Sequence, residues 1–182
     1  MTKLWNNVWV LGATVMGIAM SAPAAAVTSA VGPYYATPSW DQQLPASTRF
    51  IVLTNWGNAA VLDRETGLVW EQSPSTLGGS WYTASANCIL SETGGRTGWR
   101  LPSIQELMSL VDRAQSNPAL PPGHPFSNVP FPFIWASTSS ASLPTDVAFV
   151  VNTASGSPLQ AIKSLTTGRA WCVRGGSGPD LQ

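Results

Sequence analysis

Two cysteines, Cys88 and Cys172, and one histidine, His124, supply the only thiols and the only imidazole in the chain, so nucleophilic or zinc chemistry would turn on them. A reactive thiolate needs a base or a cation beside it, and a zinc site needs four ligands at short recurring spacings. His124 lies between Gly123 and Pro125 in a proline-rich stretch that suits a turn, and no second histidine completes a ligand set. A serine hydrolase would need a Gly-x-Ser-x-Gly elbow, and none is present. The residues therefore predict no catalytic centre, no metal and no cofactor. For the cysteines two readings stand at this level, a disulfide or a pair of free thiols. An oxidising compartment favours the first, and closing so long a loop contributes about 4 to 5 kcal/mol in the chain-entropy estimate.

The first residues supply that compartment. Lys3 begins a short basic start, residues 8–20 are apolar, and Ala24-Ala25-Ala26 offers the small side chains that signal peptidase accepts, so residues 1–26 read as a signal peptide cleaved after Ala26. The apolar run is short for a spanning helix and no basic stop follows it, which predicts no membrane span after cleavage. The expected location is secreted, periplasmic or at the cell surface. Composition limits the partners: Lys+Arg 9 balances Asp+Glu 9, and losing Lys3 leaves 8 against 9. A chain this close to neutral, with 10% charged residues, excludes nucleic acid as its partner and weakens glycosaminoglycan binding by charge alone.

Residues 27–48 are rich in Pro, Ala, Ser and Thr, with Trp40 and the Tyr34-Tyr35 pair as large anchors, and read as a linker or draped arm. Residues 49–54 predict a strand. Residues 59–63 and 68–71 predict a hairpin turning through Arg64-Glu65-Thr66-Gly67. Ser80 caps an expected helix to about Glu92, with Trp81, Ala84 and Cys88 on one face and Gly94-Gly95 stopping it. Pro102, Ser103 and Glu106 form the signature of a capping box for a second helix over 103–113, its buried stripe being Ile104, Leu107, Met108 and Val111. Residues 117–132 hold too much proline for regular structure and predict a long connection. Strands follow over 133–137, 146–152, 160–165 and 169–174, with Gly156 and Gly168 marking turns. Residues 177–182 read as a flexible tail. The sum is an α+β domain over 49–176, two helices packed on short, mostly antiparallel strands.

Five ordered motifs then carry a resemblance: Thr66-Gly67-Leu68-Val69-Trp70, Trp81-x-x-Ala84-x-x-x-Cys88, Gly98-Trp99-Arg100-Leu101-Pro102-Ser103-x-x-Glu106-Leu107, Ile134-Trp135-Ala136-Ser137-Thr138 and Trp171-Cys172-Val173-Arg174-Gly175-Gly176. Together they resemble the Lcl C-terminal domain family, named for the domain that ends a collagen-like bacterial surface adhesin. The resemblance implies a C-type-lectin-like fold in which Cys88 to Cys172 looks like the disulfide tying the first helix to the last strand. The sequence lacks the Glu-Pro-Asn, Gln-Pro-Asp and Trp-Asn-Asp triplets of calcium-dependent lectins, so their calcium chemistry is not carried over. Nor does a Gly-X-Y run carry over collagen-driven trimerisation. The same broad fold class includes formylglycine-generating enzymes, a reading ranked last because both cysteines are assigned to the structural pair.

Trp70, Trp81, Trp99, Trp135 and Trp171 lie inside the motifs and are expected in the core. Arg100 and Arg174 are expected to pair with Glu106, Asp112 or backbone carbonyls. Trp40 and Trp56, outside the motifs, are the aromatic candidates for ligand contact, joined by His124, Phe126 and Asn128 of the long connection. The expected function is non-catalytic adhesion: recognition of a surface glycan or protein through residues 117–142 and the turns near Gly156. A structural subunit that docks its 27–48 arm on a neighbour, with self-association to a homo-oligomer, is the alternative.

Overall fold

Short apolar strands and tight turns pair first into a four-stranded sheet. The computed structural model describes residues 44–129, 132–164 and 168–175; the expected signal peptide over 1–26, residues 27–43 of the expected arm with Trp40, Gly176 and the expected 177–182 tail lie outside the described residues. A one-turn helix α1 (Ala46–Arg49) leads into β1 (Phe50–Val52), β2 (Ala60–Asp63) and β3 (Val69–Glu71). These lie in the order β1-β2-β3-β9, all antiparallel, β9 being Val173–Arg174. The β2–β3 turn closes where the Gly67 N–H donates to the Asp63 carbonyl at 2.8 Å. Gly67 holds φ 70° there, a conformation that a side chain would strain.

The second sheet runs β4-β8-β5-β6-β7, with β4 (Gly78–Gly79), β5 (Phe133–Ser139), β6 (Val147–Asn152), β7 (Ser157–Ile162) and β8 (Gly168–Arg169). Only β5 and β8 pair in parallel. Two further helices cover it. Helix α2 (Trp81–Ile89) starts where the Ser80 hydroxyl accepts from the Thr83 N–H. Helix α3 (Ile104–Leu110) starts in a capping box, the Ser103 hydroxyl accepting from the Glu106 N–H and the Glu106 carboxylate accepting from the Ser103 N–H.

The period-two alternation of the strands splits the apolar residues between two cores. Ile134, Ala136 and Val151 face one, with Leu107 and Leu110 of α3, Val61, Trp70 and Trp171. Trp135, Ala148, Val150 and Ala161 face the other, with Ala84 and Cys88 of α2, Trp99 and Cys172. Across the second core runs the Cys88–Cys172 disulfide, its Cα atoms 5.3 Å apart. The chain is thus an α+β fold of two sheets and few helices with one long-range disulfide.

Several expected boundaries move. Residues 169–174 are not one strand: β8 belongs to the second sheet and β9 to the first, because residues 170–173 alternate between the two cores and carry the chain across. Gly168 is a close approach and not a turn; a Cβ there would lie 2.8 Å from the Trp135 ring. Helix α3 stops at Leu110 because Val111 turns extended, its side chain buried in the first core, while the Asp112 carboxylate takes the Ala114 N–H. Helix α2 ends at Ile89, before the two glycines, which form a separate 3-10 turn over Thr93–Gly95. Strand β7 begins earlier than position 160, at Ser157, and Leu165 lies outside the described residues.

With 84 positions between its cysteines, the disulfide is expected to contribute about 4 to 5 kcal/mol by loop closure. Replacing Cys172 by Ser should therefore lower the melting temperature by about 10 °C or more. Differential scanning calorimetry of the oxidised protein checks this, and an unchanged transition would show that the cross-link is energetically idle.

Candidate functional site

The described residues collect partly exposed aromatic and cationic groups where two turns meet the end of a strand. Trp56 ends the 3-10 turn Thr54–Trp56, Arg96 follows the turn Thr93–Gly95, and Arg174 ends β9. Gly94 makes the approach close, since a Cβ on it would lie 2.9 Å from the Trp56 Cβ. The Trp56 indole stands edge-on to buried Trp99, ring centroids 6.4 Å apart. The guanidinium carbons of Arg96 and Arg174 lie 5.3 and 5.6 Å from the Trp56 ring, within cation–π range. Arg174 is oriented by its Nε, which donates to the Thr97 carbonyl at 2.8 Å. Trp56 is half-buried and Arg96 exposed.

The remaining candidates sit elsewhere. Phe126 is a core residue and not a surface contact: 7% exposed, it packs edge-on against Trp171 at 4.9 Å and Phe50 at 5.2 Å. Its neighbours explain this, because the proline-rich connection is fastened to the first sheet. The Ser127 N–H donates to the Gln72 carbonyl, and Gln72 Nε2 donates to the Pro125 carbonyl. Ala119 and Leu120 fill the same core. Asn128 is exposed, its Nδ2 donating to the Ser73 hydroxyl. His124 is half-buried with its ring 5.9 Å from Phe126, and its Nδ1 has no hydrogen-bond partner among the described residues. Desolvation by burial holds its pKa below the usual histidine value.

Buried charge serves the architecture. Arg100 holds Glu106 through two hydrogen bonds of 2.6 and 2.7 Å, so one carboxylate serves both the helix cap and the ion pair. Asp112 takes no arginine. A second cluster is invisible in the sequence pattern: Arg49, Asp63 and Glu65 are all within 1% of complete burial. Arg49 donates from Nε and Nη2 to the two Asp63 oxygens at 2.8 and 2.7 Å and from Nη2 to the Ser109 carbonyl, while its Nη1 lies 3.2 Å from Glu65. Only the burial of residues distant in sequence reveals that role. Glu71 likewise accepts from Ser91, Thr93 and the Cys172 N–H. Lys163, 6% exposed, donates to the Pro144 carbonyl with its ammonium 4.5 Å from the Trp81 ring. Among the described residues no three His, Cys, Asp or Glu side chains form a group able to hold a metal.

The Lcl C-terminal domain family matches residues 59–174, the stretch that holds both sheets' paired strands from β2 onward, α2, α3 and both cysteines. The chain belongs to that family. No curated protein matches the chain.

His124 yields a pH test. Its folded pKa is depressed, so the unfolded chain takes up the proton first as pH falls, and stability present above the ordinary histidine pKa of about 6.5 declines below it. Thermal melts between pH 7.5 and 5.5 should show a falling midpoint in the native protein and a flatter profile in His124→Gln. Parallel profiles for the two would contradict the assignment.

Proposed function

We propose that this is an exported, non-catalytic recognition domain with a C-type-lectin-like fold, binding a glycan or protein at a cell surface. The observation that carries the reading is the placing of exposed turns on a rigid frame: Trp56 and Arg96 project from loops whose bases are packed beside the disulfide-linked core. Membership of the Lcl C-terminal domain family supports an adhesion-type role. The disulfide supports an oxidising compartment. The non-catalytic part rests on how the reactive groups are used: both sulfurs are bonded to each other, and the carboxylates of Asp63, Glu65, Glu71 and Glu106 each face structural donors, Glu65 the Arg49 guanidinium and the Leu44 N–H.

The binding face differs from a simple reading of the 117–142 connection. Its first half is fastened down through Ala119, Leu120 and Phe126, whereas residues 141–146, which overlap its end, are all exposed, with Leu143 at 54% exposure. The exposed turns on which the reading rests are residues 54–58, 92–98 and 141–146. No helix among the described residues is long and apolar enough to cross a membrane.

Glycan arrays and a panel of matrix proteins probed with the mature chain test the reading. Binding is expected to survive EDTA, because no calcium-ligating triplet is present. It should also fall only shallowly with salt, since a near-neutral chain releases few counterions. Complete loss on chelation would refute the calcium-free mode of binding.

A further inference from the structure

We propose that Trp56, Arg96 and Arg174 form a site for one carboxylate carried beside an apolar group, as on an acidic side chain of a partner protein. The inference rests on the recognition reading above and names the chemistry of its ligand. The two guanidinium carbons lie 5.3 and 5.6 Å from the same indole, yet neither arginine takes part in an ion pair among the described residues. Other cations near the core are spoken for: Arg49 by Asp63 and Glu65, Arg100 by Glu106, and Lys163 by the Pro144 carbonyl. In a chain with Lys+Arg 9 and Asp+Glu 9, two uncompensated positive charges on one aromatic ring are a local excess.

The site is built as well as charged. Arg174 commits its Nε to the Thr97 carbonyl, which fixes the plane of the fork and leaves its terminal nitrogens without a partner among the described residues. Trp56 is fixed by Trp99 at its edge and by the close approach of Gly94. A planar fork takes a carboxylate through two parallel hydrogen bonds, and the adjacent indole offers apolar surface to whatever carries that carboxylate. The number of charges selects the ligand. Two guanidiniums suit one isolated anion, whereas a sulfated polysaccharide draws its affinity from a row of cations and the counterions they release.

The test uses the full mature chain and two peptides, acetyl-Gly-Phe-Glu-Gly-amide and its twin with Gln in place of Glu, followed through the Trp56 indole N–H resonance. The Glu peptide is expected to shift that resonance saturably and to bind about fivefold tighter than the Gln twin, the size of effect that partly exposed charge-assisted pairs give. R96Q, at an exposed position, should bring the Glu peptide down to the level of the twin without moving the melting temperature; R174K, which keeps the charge and loses the fork, should weaken binding to a smaller extent. Equal affinity for the two peptides, an undisturbed Trp56, or full binding by R96Q would overturn the proposal. So would dextran sulfate binding with a salt slope of about six or more charges. If a matrix-panel ligand is found and R96Q binds it normally while the peptides fail, the site falls and the recognition reading stands. If the Glu peptide binds and R96Q abolishes it while the panel stays empty, the site stands and the surface-target reading falls.

Discussion

Residues 170–173 cross from one sheet to the other with side chains alternating between the two cores, and the rest of the molecule is arranged around that crossing. Ala170 and Cys172 point into the core beneath α2, Trp171 and Val173 into the core beneath α3. Each step is fixed by hydrogen bonds to a different part of the chain. The Ala170 carbonyl accepts from Ser75, the Trp171 indole donates to the Glu71 carbonyl, and Val173 exchanges both backbone bonds with Arg100. Burying these four residues, none more than 2% exposed, removes an aromatic, a sulfur and two aliphatic side chains from water. At about 1.5 to 3 kcal/mol for a large apolar side chain, that exceeds the worth of any surface contact in the molecule. The disulfide then adds a covalent tie at the middle of the crossing, from Cys172 to the inner face of α2.

The buried polar groups make sense as guides to this arrangement. Glu71 lies beside the crossing, taking the Cys172 N–H on one oxygen and the hydroxyls of Ser91 and Thr93 on the other, so the loop after α2 is drawn to the same point. Arg49 ties the β1–β2 pair to the end of α3 through Asp63 and the Ser109 carbonyl. Buried pairs of this kind add little net stability over apolar replacements, but losing one partner leaves a buried charge unmet. They set geometry more than they add energy. The crossing also ends on Arg174, so the scaffold delivers one of the two guanidiniums to the Trp56 face directly.

Much of this was legible from local pattern. The Gly67 turn, the Ser80 cap and the Ser103–Glu106 box depend on residues within a few positions of one another, and sequence spacing reports such contacts well. Residues 169–174 were legible as extended but not as a crossing, because alternation looks the same whether both faces belong to one sheet or to two. Phe126 was hidden by its prolines: an irregular strap has no period, so nothing local distinguishes a core phenylalanine from an exposed one. Arg49, Asp63 and Glu65 carry the same lesson for charge, since burial of an ion cluster is decided by packing from distant segments. Trp56 could be singled out as lying outside the family motifs, but the two arginines beside it come from positions 40 and 118 residues further along the chain. Their convergence exists only in the fold.

On this physical picture the crossing makes two sheets and two cores into one cooperative unit. Native-state amide exchange of the oxidised protein across rising denaturant tests it most directly. The account predicts that amides of Val61 and Trp70 in the first sheet, Val150 in the second and Val173 at the crossing converge on a single opening free energy. Convergence of the two sheets on separate free energies, with Val173 following only one of them, would contradict it.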